Sequence, residues 1–326
     1  MDDIFVFDSI PYEKNGELML PATEVADALG YECYEEGNSV LLTRPYQTCR
    51  LLVSTTKNIA ELNSVESVRD EVNDITILQF ERETDAIAAA EYYEDLKGVS
   101  AVEPDTIFTL CDGDEPEEEE PVIINDSDDL IFTDDGHMTG WGRDCVGVDD
   151  LNDYLATQQL NDVLVAVVDT GVCSTHEMLK DRIICAPVNY SDSGDPNSSE
   201  DDNGHGTHVT GIVTDNTLDN VTVLDVNVLN ANGQGTLYQV YEGMQYAVSQ
   251  GVKAINLSLG AAGESELLEK YIKELRNKNI SVIVAAGNSG RPAAMFTPAG
   301  IDECITVANF GLKAWPVQTI RSGPYS

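Results

Sequence analysis

The sequence predicts an α/β protein with a doubly wound parallel sheet, preceded by a small α+β domain. The chain has 326 residues, enough for two or more domains that each bury a core. Its second half alternates apolar runs of strand length with segments of helical periodicity, which is typical of a parallel sheet covered by helices. Its first half carries short strand patterns around one helix, which predicts a separate compact unit.

The composition is strongly acidic. Lys and Arg total 18 against 58 Asp and Glu, so the formal net charge is -40. This field repels nucleic acid and anionic membrane surfaces, so we expect neither as a partner. The carboxylates fit either a solvated surface or Ca²⁺ sites, since calcium binds clustered oxygen ligands. We expect that the protein requires no cofactor. A structural calcium ion is an alternative to which the sequence assigns no ligands.

The cysteines and the N-terminal residues show no pattern of a zinc site, a disulfide framework or a signal peptide. The seven cysteines are scattered without a C-x-x-C pair, so neither a zinc site nor a disulfide framework is predicted. The first residues have no basic region and no long apolar run, so no signal peptide is visible. No stretch reaches the roughly 18 continuous apolar residues of a membrane helix, so no membrane span is expected.

Residues 1–48 are predicted to form a small β-α-β-β accessory module. Within them, residues 16–44 have the pattern of a strand, a helix that ends at Gly30, and a hairpin that turns at residues 36–38. This stretch resembles the copper-amine-oxidase N-terminal-like modules of bacterial surface proteins. The resemblance implies an accessory role.

Residues 49–110 form the next predicted unit. Strand patterns at 50–56 and 74–80 are separated by an irregular stretch and followed by a helix and a final strand at 99–108. Because apolar residues recur at helical spacing, the helix has one face that can cover a small sheet. That face consists of Ala86, Ala89, Ala90 and Tyr93.

Residues 111–136 are predicted to be an exposed linker. The segment contains many carboxylates, Pro116 and Pro121, and no Lys or Arg. Like charges and prolines prevent collapse, so the segment is expected to be flexible and open to proteolysis. The remaining residues, 137–326, are predicted to form the main α/β domain.

The main domain is predicted from four buried strands with helices between them. The strands are expected at 163–169, 220–229, 252–260 and 280–288, and the helices at 237–250 and 265–278. Reactive groups of such sheets collect beyond the carboxyl ends of the strands. Asp169, Ser258 and Asn288 are expected at those ends.

The stretch "DDNGHGTHVTG" holds two of the four histidines, His205 and His208. Gly204 and Gly206 allow close approach of the backbone, and the residues that follow, 207–213, have the pattern of the start of a buried helix. Taken alone, His205 fits a satisfied core residue as well as a base. Asp169 likewise fits a strand-end cap as well as a partner for that base.

The combination of motifs separates these alternatives. The segments "DTG", "HGTHVTGIV", "NLSLG" and "AAGNSG" occur in the order and spacing of the subtilisin-like serine peptidases, the subtilases, which residues 141–310 resemble. Residues 50–110 resemble the inhibitory propeptide of that family. The resemblance implies a subtilisin-like sheet, a peptide or protein substrate, the chain's own propeptide as a partner, and a secreted or cell-surface location.

The resemblance also implies roles for single residues. Asp169 matches the aspartate that orients the imidazole, and His205 matches the general base. Asn288 matches the side-chain donor of the oxyanion hole. His208 matches a second, structural histidine that is expected to form a hydrogen bond within the fold.

Four further residues match the walls of the substrate cleft. Ser258, Leu259 and Gly260 match the strand that pairs with an extended peptide. Gly287 matches the facing wall. The sequence itself says no more about substrate preference than that the cleft is extended and partly apolar.

The family's nucleophile stands in "GTSMA", and this motif does not occur in the chain. Ser322 and Ser326 precede no apolar helix, so neither is predicted to be a nucleophile. One hypothesis is therefore a serine endopeptidase proenzyme whose sequence is truncated or frame-shifted, so that the C-terminal part of the domain is missing. The other is a catalytically inactive subtilase that binds peptides or a protease. A nucleotide-binding domain is excluded, since the glycine-rich phosphate loop is absent.

Overall fold

The structure is a computed structural model that describes most of the chain. The described residues are 39–59, 64–111, 143, 146–191 and 194–313, with short strands at 12–14, 17–19, 32–36, 130–132, 138–140 and 319–322. The helix predicted within residues 16–44, most of the predicted linker, and Ser326 lie outside the described residues.

Short antiparallel hairpins occupy the described parts of the termini and the linker. One hairpin pairs β1 with β2, and another pairs β3 with β4. The strands β3 and β4 flank the turn predicted at residues 36–38. Two more pair β10 with β11 and β21 with β22. The strands are β1 (Tyr12–Lys14), β2 (Glu17–Met19), β3 (Glu32–Glu36), β4 (Ser39–Thr43), β10 (Leu130–Phe132), β11 (Met138–Gly140), β21 (Phe310–Lys313) and β22 (Thr319–Ser322).

Residues 50–104 form a small antiparallel sheet covered by one helix. Its strands are β5 (Arg50–Thr55), β6 (Glu66–Asp70), β7 (Ile75–Gln79) and β8 (Val99–Pro104), in the order β6-β7-β5-β8, and its helix is α1 (Glu83–Glu94). The predicted apolar face of the helix is confirmed, since all four of its residues are buried. The prediction of an irregular stretch before β7 is wrong in part, because β6 pairs along the whole of β7.

The single strand predicted at 99–108 is in fact two strands. β8 ends at Pro104, and β9 (Ile107–Leu110) leaves the small sheet to pair elsewhere. Asp105 marks the break: its buried carboxylate lies 2.9 Å from Arg50 and accepts a hydrogen bond from the Tyr238 amide at 2.8 Å. These contacts redirect the chain from one unit into the other.

The described part of the main domain is built on a parallel sheet of six strands. The strand order is β13-β14-β12-β16-β18-β20, so later strands lie on both sides of β12, which confirms the predicted fold class. The strands are β12 (Val163–Asp169), β13 (Ile183–Asn189), β14 (Val221–Asn227), β16 (Ala254–Leu257), β18 (Ser281–Ala285) and β20 (Ile305–Val307).

Helices cover both faces of this sheet. α4 and α5 pack on one face through a shared apolar core, and α3 lies against β12 and β14 on the other face. The helices of the main domain are α2 (Val148–Ala156), α3 (His205–Asp215), α4 (Leu237–Ser249) and α5 (Glu266–Asn277).

The strand predicted at 252–260 is interrupted at Ser258. β16 ends at Leu257 inside the parallel sheet, and β17 (Leu259–Ala262) belongs to a second, antiparallel sheet. This sheet has the order β15-β9-β17-β19, where β15 is Gln234–Thr236 and β19 is Phe296–Thr297. The break frees the edge of β17 to pair with β9.

The small unit docks on the N-termini of α4 and α5. Its Asp105 accepts a hydrogen bond from the backbone amide of Tyr238 in the first turn of α4. Its Glu103 accepts hydrogen bonds from the Ser265 hydroxyl at 2.7 Å and from the Leu267 amide at 2.9 Å, at the start of α5. Two carboxylates thus satisfy helix-terminal donors and lie at the positive ends of the helix dipoles.

Candidate active site

Asp169 is the last residue of β12, and its side chain is fully buried. Its Oδ1 accepts a hydrogen bond from the Thr170 amide at 2.7 Å and lies 2.7 Å from Nδ1 of His205. Burial raises the pKa of the Asp169 carboxyl, and the contact with His205 opposes this shift. A carboxylate in this position fixes the orientation of the imidazole ring.

His205 is the first residue of α3, two residues before the predicted start at Thr207, and it follows Gly204, whose φ is +108°. The helix start is pressed against the end of β12: a Cβ on Gly206 would lie 2.2 Å from the carbonyl oxygen of Gly171. Only glycine permits this approach at position 206. The close packing brings the imidazole to the carboxylate of Asp169.

Asp201 is a site residue that none of the sequence patterns above singles out. Its carboxylate accepts hydrogen bonds from the amides of Gly204 and Thr207 and the hydroxyls of Thr170 and Thr207, at 2.6 to 2.9 Å. Burial acts to raise the pKa of Asp201, but these hydrogen bonds together lower it. An Asp just before an Asn-Gly turn and a helix start is the signal that points to this role.

His208 differs from expectation. It is exposed on α3, and its imidazole has no hydrogen-bond partner among the residues that the structure describes. Only its backbone amide donates, to the carbonyl of Gly204 at 3.1 Å. The hydrogen bond predicted for the His208 side chain is therefore wrong for the described chain, because the side chain faces solvent.

The predicted cleft residues surround the segment 107–111. β9 lies between β15 and β17 and pairs antiparallel with both. In β17, Leu259 pairs with Leu110, and Gly260 pairs with Thr109. The carbonyl of Ser258 accepts from the amide of Cys111 at 3.1 Å, which extends the pairing by one residue.

Asn288 meets the end of this segment. Its side-chain amide donates a hydrogen bond to the carbonyl oxygen of Cys111. Gly287, with a φ of +86°, precedes it and lines a cavity of about 300 Å³ beside Cys111. Phe296 also lines this cavity, which is otherwise bordered mainly by alanine, glycine and the backbone of the segment.

The site thus consists of two groups at the carboxyl edge of the parallel sheet. One is the Asp169–His205 pair, in which a carboxylate holds a base. The other is a strand-lined cleft that places a peptide carbonyl on the amide of Asn288. Together they provide a proton acceptor, its orienting group and an anion-stabilising donor, which are three requirements of acyl transfer.

The described residues show neither a metal-binding cluster nor a membrane-spanning helix. Within the described ranges, no group of three or more His, Cys, Asp or Glu side chains is arranged to hold a metal ion. Of the helices described, none is long and apolar enough to cross a membrane.

These residues lie in a region of the chain that is similar to known proteins. Residues 161–314 match the model of the subtilase family, peptidase S8. Subtilisin DY from Bacillus licheniformis is 35% identical over 156 residues, covering 44% of this chain and 55% of that protein. The cell wall-associated protease of Bacillus subtilis (strain 168) is 36% identical over 154 residues, covering 44% of this chain and 17% of that protein.

A solved structure agrees at the level of the fold. Fervidolysin from Fervidobacterium pennivorans matches with a TM-score of 0.61 at 20% identity, over 85% of this chain and 45% of that one. The chain spans about half the length of subtilisin DY and less of the cell wall-associated protease. Residues 161–314 are therefore similar in sequence to the subtilase family.

Proposed function

We propose that the main domain is the base-bearing and peptide-binding part of a subtilase-type serine endopeptidase. In this proposal His205 is the general base, and Asp169 orients it and stabilises its protonated form. Asn288 donates to the oxyanion that develops on the scissile carbonyl. The nucleophilic serine of the family motif is not among the residues assigned here.

The observation that carries the proposal is the seating of residues 107–111. An extended peptide pairs on both edges with strands of the domain, and its last carbonyl accepts from Asn288. Backbone pairing holds a peptide without demanding particular side chains, which suits a protease that accepts extended substrates. Ser258, Leu259, Gly260 and Gly287 are proposed to bind substrate in the same way.

We further propose that residues 49–110 are an inhibitory propeptide and that their own end occupies the cleft. The unit docks on the helix starts through Glu103 and Asp105, which aligns β9 with β17. The division into an accessory module at 1–48, a linker at 111–136 and a main domain at 137–326 belongs to this proposal.

The proposal also covers the location of the protein and the binding of a structural ion. The names of relatives include a cell wall-associated, an extracellular and an intracellular protease. A secreted or cell-surface location is proposed from the first two. The reaction as proposed uses no cofactor, and a structural Ca²⁺ ion is kept as a proposal without assigned ligands.

The test is covalent labelling by a fluorophosphonate probe, which reacts with an activated serine. The natural gene product is compared with its His205→Ala variant. His176→Ala is the matched control, since His176 is another histidine and is exposed on a loop. We expect labelling of the natural product and of the control, and its loss in His205→Ala, because the base activates the nucleophile.

Two results would overturn the proposal. Labelling that survives in His205→Ala would remove the histidine from its assigned role. Absence of labelling from the natural product would leave the inactive, peptide-binding alternative. Sequencing the gene past the codon for Val307 adds an independent check, because a frame that continues into "GTSMA" would supply the nucleophile.

A further inference from the structure

A buried carboxyl lies beneath the candidate active site and has no part in the chemistry proposed above. Asp225 is in β14 and is 0% exposed. In the sheet register it stands beside Val167 of β12 and Cys185 of β13. Asp169 is two residues beyond Val167 on the same strand. Because alternate residues of a strand point to one face, Asp225 and Asp169 share a face as diagonal neighbours.

The hydrogen bonding of Asp225 differs from that of the other buried acids. Neither of its carboxylate oxygens has a hydrogen-bond partner among the described residues. The hydroxyl of Ser199 is close enough to favour the charged form, but it makes a hydrogen bond with neither oxygen. Asp169, by contrast, has Thr170 and His205 as partners, and Asp201 has several donors.

The charged groups with the largest effects on Asp225 are carboxylates, which disfavour its charged form. The titratable groups that face it are Asp169 from β12, Cys185 from β13, and Glu200 and Asp201 from the loop before α3. Within this set of described neighbours there is no Lys or Arg. Burial, and then the neighbouring carboxylates, raise the pKa of Asp225 well above its ordinary value.

We propose that Asp225 holds a proton at neutral pH, so that it adds no second carboxylate charge beneath the Asp169–His205 pair. When buried carboxyls interact, the proton stays on the one with the fewest donors. That carboxyl is Asp225, since hydrogen bonds stabilise the charged forms of Asp169 and Asp201.

The neutral state has a consequence for the base. A second negative charge beneath the pair would stabilise the imidazolium form of His205 and hold its proton to higher pH. A histidine that keeps its proton cannot accept another one. A neutral Asp225 therefore leaves His205 available as a base near neutral pH. This last step rests on the proposed function, whereas the charge state of Asp225 does not.

The direct test is a carbon-13 NMR titration of the carboxyl groups in the full chain, with Asp225 assigned from Asp225→Asn. We expect Asp225 to be neutral at about pH 7 and to ionise at lower pH in Asp169→Asn, because the neighbouring charge is gone. The control is Asp219→Asn, which removes a fully exposed carboxylate and should leave the midpoint unchanged. An ionised Asp225 at about pH 7, or an unmoved midpoint in Asp169→Asn, would overturn the proposal.

A second measurement holds even if Asp169→Asn fails to fold. A carboxyl that is neutral when folded and ionised when unfolded destabilises the native state as pH rises. The unfolding constant of the natural chain, relative to Asp225→Asn, should rise about tenfold per pH unit above about pH 5. A ratio that does not change with pH would refute the neutral state.

The His205 imidazole gives a third readout of the charge on Asp225. Asp225→Asn replaces a neutral acid with a neutral amide, so the midpoint of the His205 imidazole should be unchanged in an NMR titration. A lower midpoint in the variant would mean that Asp225 carries charge. These readouts need no peptidase activity, so a failure of fluorophosphonate labelling leaves them intact.

Discussion

The docking of the small unit should weaken as pH rises, because of Glu103. This side chain lies between β8 and the start of α5, and burial raises its pKa from 4.5 to about 7. Hydrogen bonds from the Ser265 hydroxyl and the Leu267 amide oppose this shift, because they favour the charged form. The native carboxyl therefore binds its proton more tightly than the unfolded one does. Its contribution to stability is complete below pH 4.5 and is lost as pH rises toward about 7.

The magnitude follows from the two pKa values. With midpoints of 4.5 unfolded and about 7 native, stability relative to a non-titrating variant should fall by about 2 kcal/mol between about pH 5.5 and about pH 8. Solvent screening at this partly exposed side chain makes this an upper value. Glu103→Gln is the non-titrating variant, since the amide can still accept from Leu267 and donate to Ser265.

The assay is urea unfolding of the full chain at both pH values, with Glu103→Gln beside the natural sequence. Glu71→Gln is the matched control, because Glu71 is an exposed glutamate of the same unit. The difference between the natural chain and Glu103→Gln should grow with pH, and the difference for Glu71→Gln should stay constant. Parallel loss of stability in the natural chain and Glu103→Gln would refute the burial argument.

Four further substitutions test the packing of the site and of the docked small unit. Gly206→Ala should lower the free energy of unfolding by about 1–3 kcal/mol, since its Cβ would clash with the Gly171 carbonyl. Gly211→Ala, in open space on the same helix, should stabilise by about 0.5–1 kcal/mol; equal effects in urea unfolding would contradict the clash. Phe108 is fully buried in the apolar core of the main domain and so anchors β9. Phe108→Ala should lower the free energy of unfolding by about 3–5 kcal/mol and speed proteolysis after residue 111. An unchanged cleavage rate would contradict this anchoring. Ser265→Ala removes the N-cap of α5 and should lower stability by about 1 kcal/mol in thermal unfolding, whereas no loss would mean that Glu103 caps the helix alone.

The pattern of adjacent residues predicts those elements that depend on neighbours in the chain. The buried strand predicted at 163–169 matches the structure, and the helix predicted from Thr207 begins two residues earlier, because apolar periodicity and glycine placement act over a few residues. Asp169 and Asn288 were expected beyond strand ends for the same reason. The failures at 99–108 and 252–260 have one cause, since both strands break where the chain leaves one sheet for another.

The sequence by itself determined the parallel sheet and the motif residues around Asp169 and His205. Only the tertiary structure decided what those residues meet. The contact between Asn288 and Cys111 joins positions 177 residues apart, and Glu103 meets Leu267 across 164 residues. The environment of Asp225 likewise comes from strands and loops that are distant in the chain. Hydrogen bonding and burial depend on distances in space, so a pattern that acts along the chain cannot specify them.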